Sequence, residues 1–565
     1  MRRSTIIFVL LALLAAPLFV PSTARASTTV DVYATQQNAL YDSESVSRKA
    51  EAVRWWYAKA DKTYYLFMPA ATVSLYLWVD STDAVLLDGE PFQSGQEATF
   101  LLDGISRDLS IGKKSYTLRV MRSAQVPALF ITTVSGSLST IHHRKGNQET
   151  GTLHMIDQDG QSLYNGALEH IKGRGNATFV LNKKPYQIKL EQSTDICGMG
   201  KAKTWVLLAE YRDNSLLRNR IAFDLANAVG LAYSSQSRTV DVYINNDYLG
   251  AYTLCEKVEI GETRVDIADL GKETQALNDA KLDSYARYGY NKYRKGTQKG
   301  YKIPNDPADI TGGYLLEMDY KMRYSNEKSG FVTAKGQAVV IKEPDAVSQN
   351  QVTYIAALMQ GFENAIHAKD GIDSKTGKHY SEFVDMDSLV RKYVLEEVLK
   401  NRDANRSSLY FYKPTDSVSN VAFAGPAWDY DAALGNYATR AGDKIIQPEF
   451  FGVNNDQGES FYIFPALYAK EDFLAAVKSV YETDFVPALE VLLGIREDET
   501  GMLQSLQAYA DELADCAAMN FIRWPVFNTK ARIVQTGATY QENIDYLYNF
   551  IQKRMDFLAG EWLPS

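Results

Sequence analysis

Two polar loops carry the residue types needed to move a proton and to hold a hard cation. The first is Asn401-Arg402-Asp403-Ala404-Asn405-Arg406-Ser407-Ser408, which ends a helix-patterned segment and runs into the strand-like Leu409-Tyr410-Phe411-Tyr412-Lys413. The second is Gly425-Pro426-Ala427-Trp428-Asp429-Tyr430-Asp431, entered from a second strand-like run over 421–424. A carboxylate such as Asp403 can accept a proton from an attacking hydroxyl, and Asp429 and Asp431 offer hard oxygens suited to Mg2+. Turn-forming aspartates are abundant in loops, and without context the pair reads slightly better as turn residues.

Upstream lies a basic counterpart. Ile171-Lys172-Gly173-Arg174-Gly175-Asn176-Ala177-Thr178 is followed by Lys183-Lys184-Pro185-Tyr186-Gln187-Ile188-Lys189-Leu190. Glycines let backbone N–H groups approach an anion closely. Strand alternation puts Tyr186, Ile188 and Leu190 on one face and Lys189 on the other. A strand lysine behind a glycine-bearing turn resembles the way kinases reach nucleotide phosphates, although an exposed strand lysine is more often simply solvated. Asp224 lies seven residues after Leu217, near the apolar face of a helix. There it either orients Lys189 or pairs with Arg220 four residues earlier. Leu217-Arg218-Asn219 at that helix start suits phosphate contact or a structural hydrogen-bond network.

These groups need a scaffold, and the sequence outlines one. Met1–Ala26 has a charged start, an apolar run and Ala24-Arg25-Ala26, the pattern of a cleaved secretory signal peptide. The rest should be soluble, with no further segment apolar enough to span a bilayer. Residues 27–127 read as a β-rich module. Residues 128–460 mix strands with a helix capped by Asp213 or Asn214 and closed at Gly230, and contain a polar, mobile insertion over 262–310. From 461 to 565 the pattern is helical. Six histidines lack metal-ligand spacing, three cysteines make a disulfide framework unexpected, and a net charge of −9 argues against general nucleic-acid binding. Hydrolase elbow, zincin and Walker signatures are absent.

The chain closely resembles the spore coat protein H (CotH) kinase family. The resemblance rests on IKGRGNATF and KKPYQIKL within 171–190, WVLLAEYRDNSLLRNRIAFDLA at 205–226 and VDVYINNDYLGAYTLCEKVEI at 240–260. It continues through GGYLLEMD at 312–319, NRDANRSSLYFYK at 401–413 and GPAWDYDAALGN at 425–436. It implies an α+β, atypical protein-kinase-like bilobal core that uses ATP with Mg2+ or Mn2+ to phosphorylate Ser or Thr of exported, coat or surface proteins. On that reading Asp403 matches the catalytic aspartate, Asp429 the metal-binding one, and Asp431 is a second ligand candidate. Lys189 matches the phosphate lysine, Arg174 and Arg218 lie in matching motifs, and Glu256 to Glu259 occupy the place of an adenine-contacting hinge. Ser408 stands where a metal-binding Asn is usual, with Asn405 a substitute. That departure, with the β-rich module, leaves room for a non-catalytic surface or spore-coat assembly protein on the same fold. Carbohydrate binding by the Tyr- and Trp-rich module is a third, weaker reading.

Overall fold

The computed structural model describes residues 31–35, 52–405, 407–436, 449–451, 463–527 and 537–564. The signal-peptide segment expected at the N-terminus lies outside them. The chain is α+β. Its first part forms a four-stranded and a six-stranded sheet. In the latter, Thr63–Met68 and Lys114–Arg122 run parallel. Leu66, Phe67, Leu77, Leu109 and Leu118 fill the core between the sheets. This module is fastened to the neighbouring strands of the chain: Phe130, Tyr243 and Tyr248 share its core, and the Tyr243 hydroxyl donates to the Phe67 carbonyl at 3.0 Å.

Seven strands then close a barrel: β1 (Ala128–Thr133), β2 (Gln148–Ile156), β3 (Ser162–Gly173), β4 (Tyr186–Asp195), β5 (Lys201–Leu208), β6 (Ser237–Ile244) and β7 (Asp247–Glu256). The order is β1-β2-β3-β4-β5-β7-β6, closed by parallel pairing of β1 with β6. Ile171, Tyr186, Ile188, Leu190, Trp205, Leu207 and Leu254 fill the interior. The expected alternation in β4 therefore holds, with Lys189 on the outside. Helix α1 (Arg218–Ala228) lies outside the barrel and buries Ile221, Ala222, Phe223 and Leu225.

A second, seven-stranded sheet comprises β8 (Arg287–Gly289), β9 (Gln298–Tyr301), β10 (Tyr314–Asp319), β11 (Gly330–Val332), β12 (Ala338–Glu343), β13 (Leu409–Lys413) and β14 (Phe423–Ala424). Its order is β8-β9-β11-β12-β10-β13-β14. The polar stretch 262–310 is thus part of the architecture. It supplies β8, β9 and the short helix Leu270–Ala276, pinned by a satellite core of Leu282, Tyr301, Ile303 and Ala346. Helices α2 (Gln349–His367), α3 (Met386–Leu399), α4 (Glu471–Val480), α5 (Leu506–Arg523) and α6 (Tyr540–Trp562) complete the main core. Helix α2 starts at a capping box, in which Ser348 accepts from the Gln351 N–H and the Gln351 side chain accepts from the Ser348 N–H. Among the described residues no helix is long and apolar enough to cross a membrane.

Candidate active site

The two acidic loops meet at the end of α3. Lys400 closes that helix in the left-handed conformation, and the short turn Arg402–Asn405 follows, carrying Asp403. Asn401 ties this turn to the second loop: its Oδ1 accepts from the Asp403 N–H at 3.1 Å, and its Nδ2 donates to the Asp429 carbonyl at 3.4 Å. Ser408 donates from Oγ to Asp429 Oδ2 at 3.2 Å. Carboxylate oxygens of Asp403, Asp429 and Asp431 lie within 4.8 Å of one another. The Asn405 side chain lies outside the described residues.

Three carboxylates this close repel, and Asp431 feels the repulsion on top of its burial. Burial, then the charges of Asp429 and Asp403, push the Asp431 carboxyl well above the usual carboxylate range. Ser408 and Asp429 also hold positive φ, +61° and +69°, which a non-glycine residue adopts only when its surroundings compel it. A hard divalent cation fits this donor set, because it would offset the excess negative charge with the oxygen ligands it prefers.

A buried turn behind the site holds the second loop. Asp213 is almost fully buried and accepts the N–H groups of Ser215, Leu217 and Arg218 at 2.8–3.0 Å. The sequence offers Asp213 or Asn214 as the N-cap of α1, but Leu217 holds that position, and Asp213 accepts the first N–H groups from one turn upstream. Arg218 is fully buried and ion-paired to Asp213. It donates from Nε to the Ala433 carbonyl at 3.2 Å and from Nη2 to the Leu434 carbonyl at 3.3 Å. Asn219 accepts the Tyr430 N–H at 2.8 Å and donates to both Glu210 carboxylate oxygens, at 3.2 and 3.1 Å. Asn436 joins the Arg212 and Asp431 carbonyls, both at 2.8 Å. The backbone on both sides of Asp431 is thereby fixed from a helix start two hundred residues earlier in the chain.

The remaining sequence candidates divide. Arg174 reaches the acidic loop, its guanidinium 5.4 Å from the ring centroid of Trp428, the neighbour of Asp429. Lys189 instead bonds Glu169 Oε1 at 2.7 Å on the outer face of the barrel. Asp224 accepts from the Tyr509 hydroxyl at 2.7 Å and lies 3.8 Å from Arg220, so the second of its two expected partners is the one present. Burial pushes its carboxyl up to about 6. Glu256 is ion-paired to Arg264 and accepts the Gln236 N–H at 2.7 Å.

Other residues join the site that sequence reasoning does not single out. Glu317 and Asp319 lie on the same face of β10, both buried. Met318 pairs with Leu409, so Asp319 falls across from Ser408. Burial, then the Glu317 charge, raises the Asp319 carboxyl to about 7. Lys342 bonds Glu317 at 3.1 Å, and Arg323 stands 4.0 Å from Asp319. The only signal in the sequence is the motif GGYLLEMD, which carries two acids two residues apart on a strand.

The two polar loops of this α+β chain thus bring three carboxylates together in a donor set that suits a divalent cation. A model of the family described as CotH kinase protein matches residues 171–558, and the chain belongs to that family. Comparison with curated proteins finds no match.

Proposed function

We propose that this chain is an exported, atypical Ser/Thr protein kinase that transfers the γ-phosphate of ATP to exported, coat or surface proteins. The observation that carries the reading is the convergence of Asp403, Asp429 and Asp431, in the loop order of a protein kinase, within a CotH family chain. The barrel serves as the nucleotide lobe, and the second sheet with its helices as the acceptor lobe. Asp403 accepts the hydroxyl proton of the acceptor Ser or Thr. Asp429 and Asp431 would hold Mg2+ or Mn2+, with Ser408 orienting Asp429. The bound cation supplies charge neutralisation on the phosphates.

Around that centre the protein orients and holds. Arg174, in the glycine-bearing turn and stacked over Trp428, would contact phosphate. Arg218 is wholly engaged by Asp213 and two carbonyls, so it acts by positioning the loop rather than by touching nucleotide. Lys189 reaches a phosphate only by giving up Glu169. The Glu256 side chain is committed to Arg264, which leaves adenine contacts at the hinge to residues 257–259. The test is transfer from γ-labelled ATP to a panel of Ser- and Thr-containing peptides. Wild type should label them, and Asp403→Ala and Asp429→Ala should each abolish labelling with unchanged thermal unfolding. Equal labelling by wild type and both variants would refute the proposal.

A further inference from the structure

The chain carries a net charge of −9, yet residues 287–302 hold six Lys or Arg and no Asp or Glu. The structure makes this stretch the β8–β9 hairpin at the edge of the second sheet and exposes Lys292, Arg294 and Lys295 at its tip. The tip folds onto the segments between β10 and β12. The Tyr293 hydroxyl donates to the Gly336 carbonyl at 2.7 Å, and the ammonium of Lys321 lies 5.1 Å from the Tyr293 ring centroid. Lys335, next to Gly336, is exposed as well. From Lys321 the short helix Lys321–Tyr324 leads to Arg323, beside Asp319, which lies across from the Ser408 that bonds Asp429. A basic edge therefore runs from the hairpin tip to the acidic cluster.

Two features mark this edge. Several nearby cations are matched: Lys328 pairs with Asp283 and Asp345, Lys342 with Glu317, and Lys257 with Glu259. Among the described residues Lys292, Arg294, Lys295 and Lys321 form no ion pair with an acid. Exposed apolar surface also accompanies the charges, at Tyr290 and at Met322, which is 74% exposed. Like charges held side by side without acids raise the protein's own energy, and an anionic partner relieves that cost.

We propose that this edge docks an anionic stretch of the acceptor polypeptide, Asp/Glu-rich or already phosphorylated, and feeds the adjoining Ser or Thr to Asp403. The inference rests on the kinase reading for the purpose of docking but not for the binding itself. The docking partner is a protein segment because the acceptor is a protein and because a net charge of −9 disfavours extended polyanions such as nucleic acid.

The test uses the full chain and fluorescence anisotropy of labelled Ser peptides whose flanks are glutamate, phosphoserine or glutamine. Wild type should bind the glutamate or phosphoserine peptide at least about tenfold more tightly than the glutamine peptide, with affinity falling as salt rises. The phosphoserine and glutamate arms identify which anion is preferred. The combined variant Lys292→Glu, Arg294→Glu, Lys295→Glu should lose that preference, and so should the independent variant Lys321→Glu, Lys335→Glu. Asp429→Ala should retain it, which separates failure of docking from failure of the catalytic reading. Equal binding of all three peptides, or unchanged binding by both charge-reversed variants, overturns the proposal. So does a single-stranded oligonucleotide of equal charge that displaces the peptides.

Discussion

The acidic loops and the barrel strand that carries Lys189 are both legible as chemistry, yet the protein treats them differently. Asp429 and Asp431 sit in a backbone held by buried groups: Arg218 on two carbonyls, Asn219 on the Tyr430 N–H, and Asn401 on the Asp429 carbonyl. Lys189 stands on the outside of a barrel with a half-exposed glutamate as its partner. The first arrangement fixes three mutually repelling carboxylates in place before any ligand arrives, which is what a preorganised site requires. The second leaves a flexible ammonium able to exchange partners at little cost. The difference lies in burial and anchorage.

The largest effect that would break this contrast is expected at Arg218. Arg218→Met leaves Asp213 buried and unpaired together with two orphaned carbonyls, a loss of about 3–5 kcal/mol. Denaturant unfolding should show it as a large fall in midpoint, and a variant as stable as wild type would mean the clamp is dispensable.

Glu210 sharpens the same contrast through pH. Burial, then the neighbouring Asp213 charge, raises its carboxyl to about 7. Between its ordinary value near 4.5 and 7, the folded state holds a proton that the unfolded state has released. Stability from this group is therefore full at low pH and lost as pH rises through that window. Glu210→Gln should flatten the pH dependence of unfolding there by at most about 3 kcal/mol. A steeper slope in the variant would reverse the assigned sign.

Asn219→Ala removes the acceptor for the Tyr430 N–H and should cost about 1–3 kcal/mol. Because Asn219 orients a loop bearing two ligand candidates, Mn2+ affinity should fall about 10–100-fold by electron paramagnetic resonance. Lost stability with unchanged Mn2+ affinity would make Asn219 a packing residue only. The smallest effect belongs to Lys189→Ala. Losing an exposed pair should change stability by less than about 1 kcal/mol, and ATP affinity should move little. A large loss of ATP affinity would show that Lys189 leaves Glu169 for the nucleotide.

Much of the scaffold is readable because its periods are strong. Leu409–Lys413 and Phe423–Ala424 form strands within the strand-like runs beside the two polar loops, and α3 ends at the first loop, where the helical pattern stops. Helix α2 escapes a reading by periodicity, although Ser348 and Gln351 spell its capping box. The stretch 262–310 reads as mobile because its polar, aperiodic sequence hides a satellite core assembled from distant residues such as Leu282 and Ala346.

At the candidate site, Asp403, Asp429, Asp431 and Ser408 stand in contiguous loop motifs, and the fold brings them together. Partnerships between distant residues are not legible. Nothing in Arg218 and Asn219 announces the carbonyls and N–H two hundred residues onward. Nothing in Asp224 decides between Lys189 and Arg220 until α5 brings Tyr509 against it. Asp319 is hidden for a related reason: its position across from Ser408 depends on strand register, which pairs β10 with β13 across ninety residues.

On the kinase proposal the anchored acidic loops form a metal-dependent nucleotide site. The most direct measurement is calorimetric titration of the protein with ATP, with and without Mn2+, in wild type and Asp429→Ala. Wild type should bind saturably only when Mn2+ is present, and Asp429→Ala should lose that binding with its fold intact. Binding that ignores both the metal and Asp429, or no heat under any condition, would contradict it.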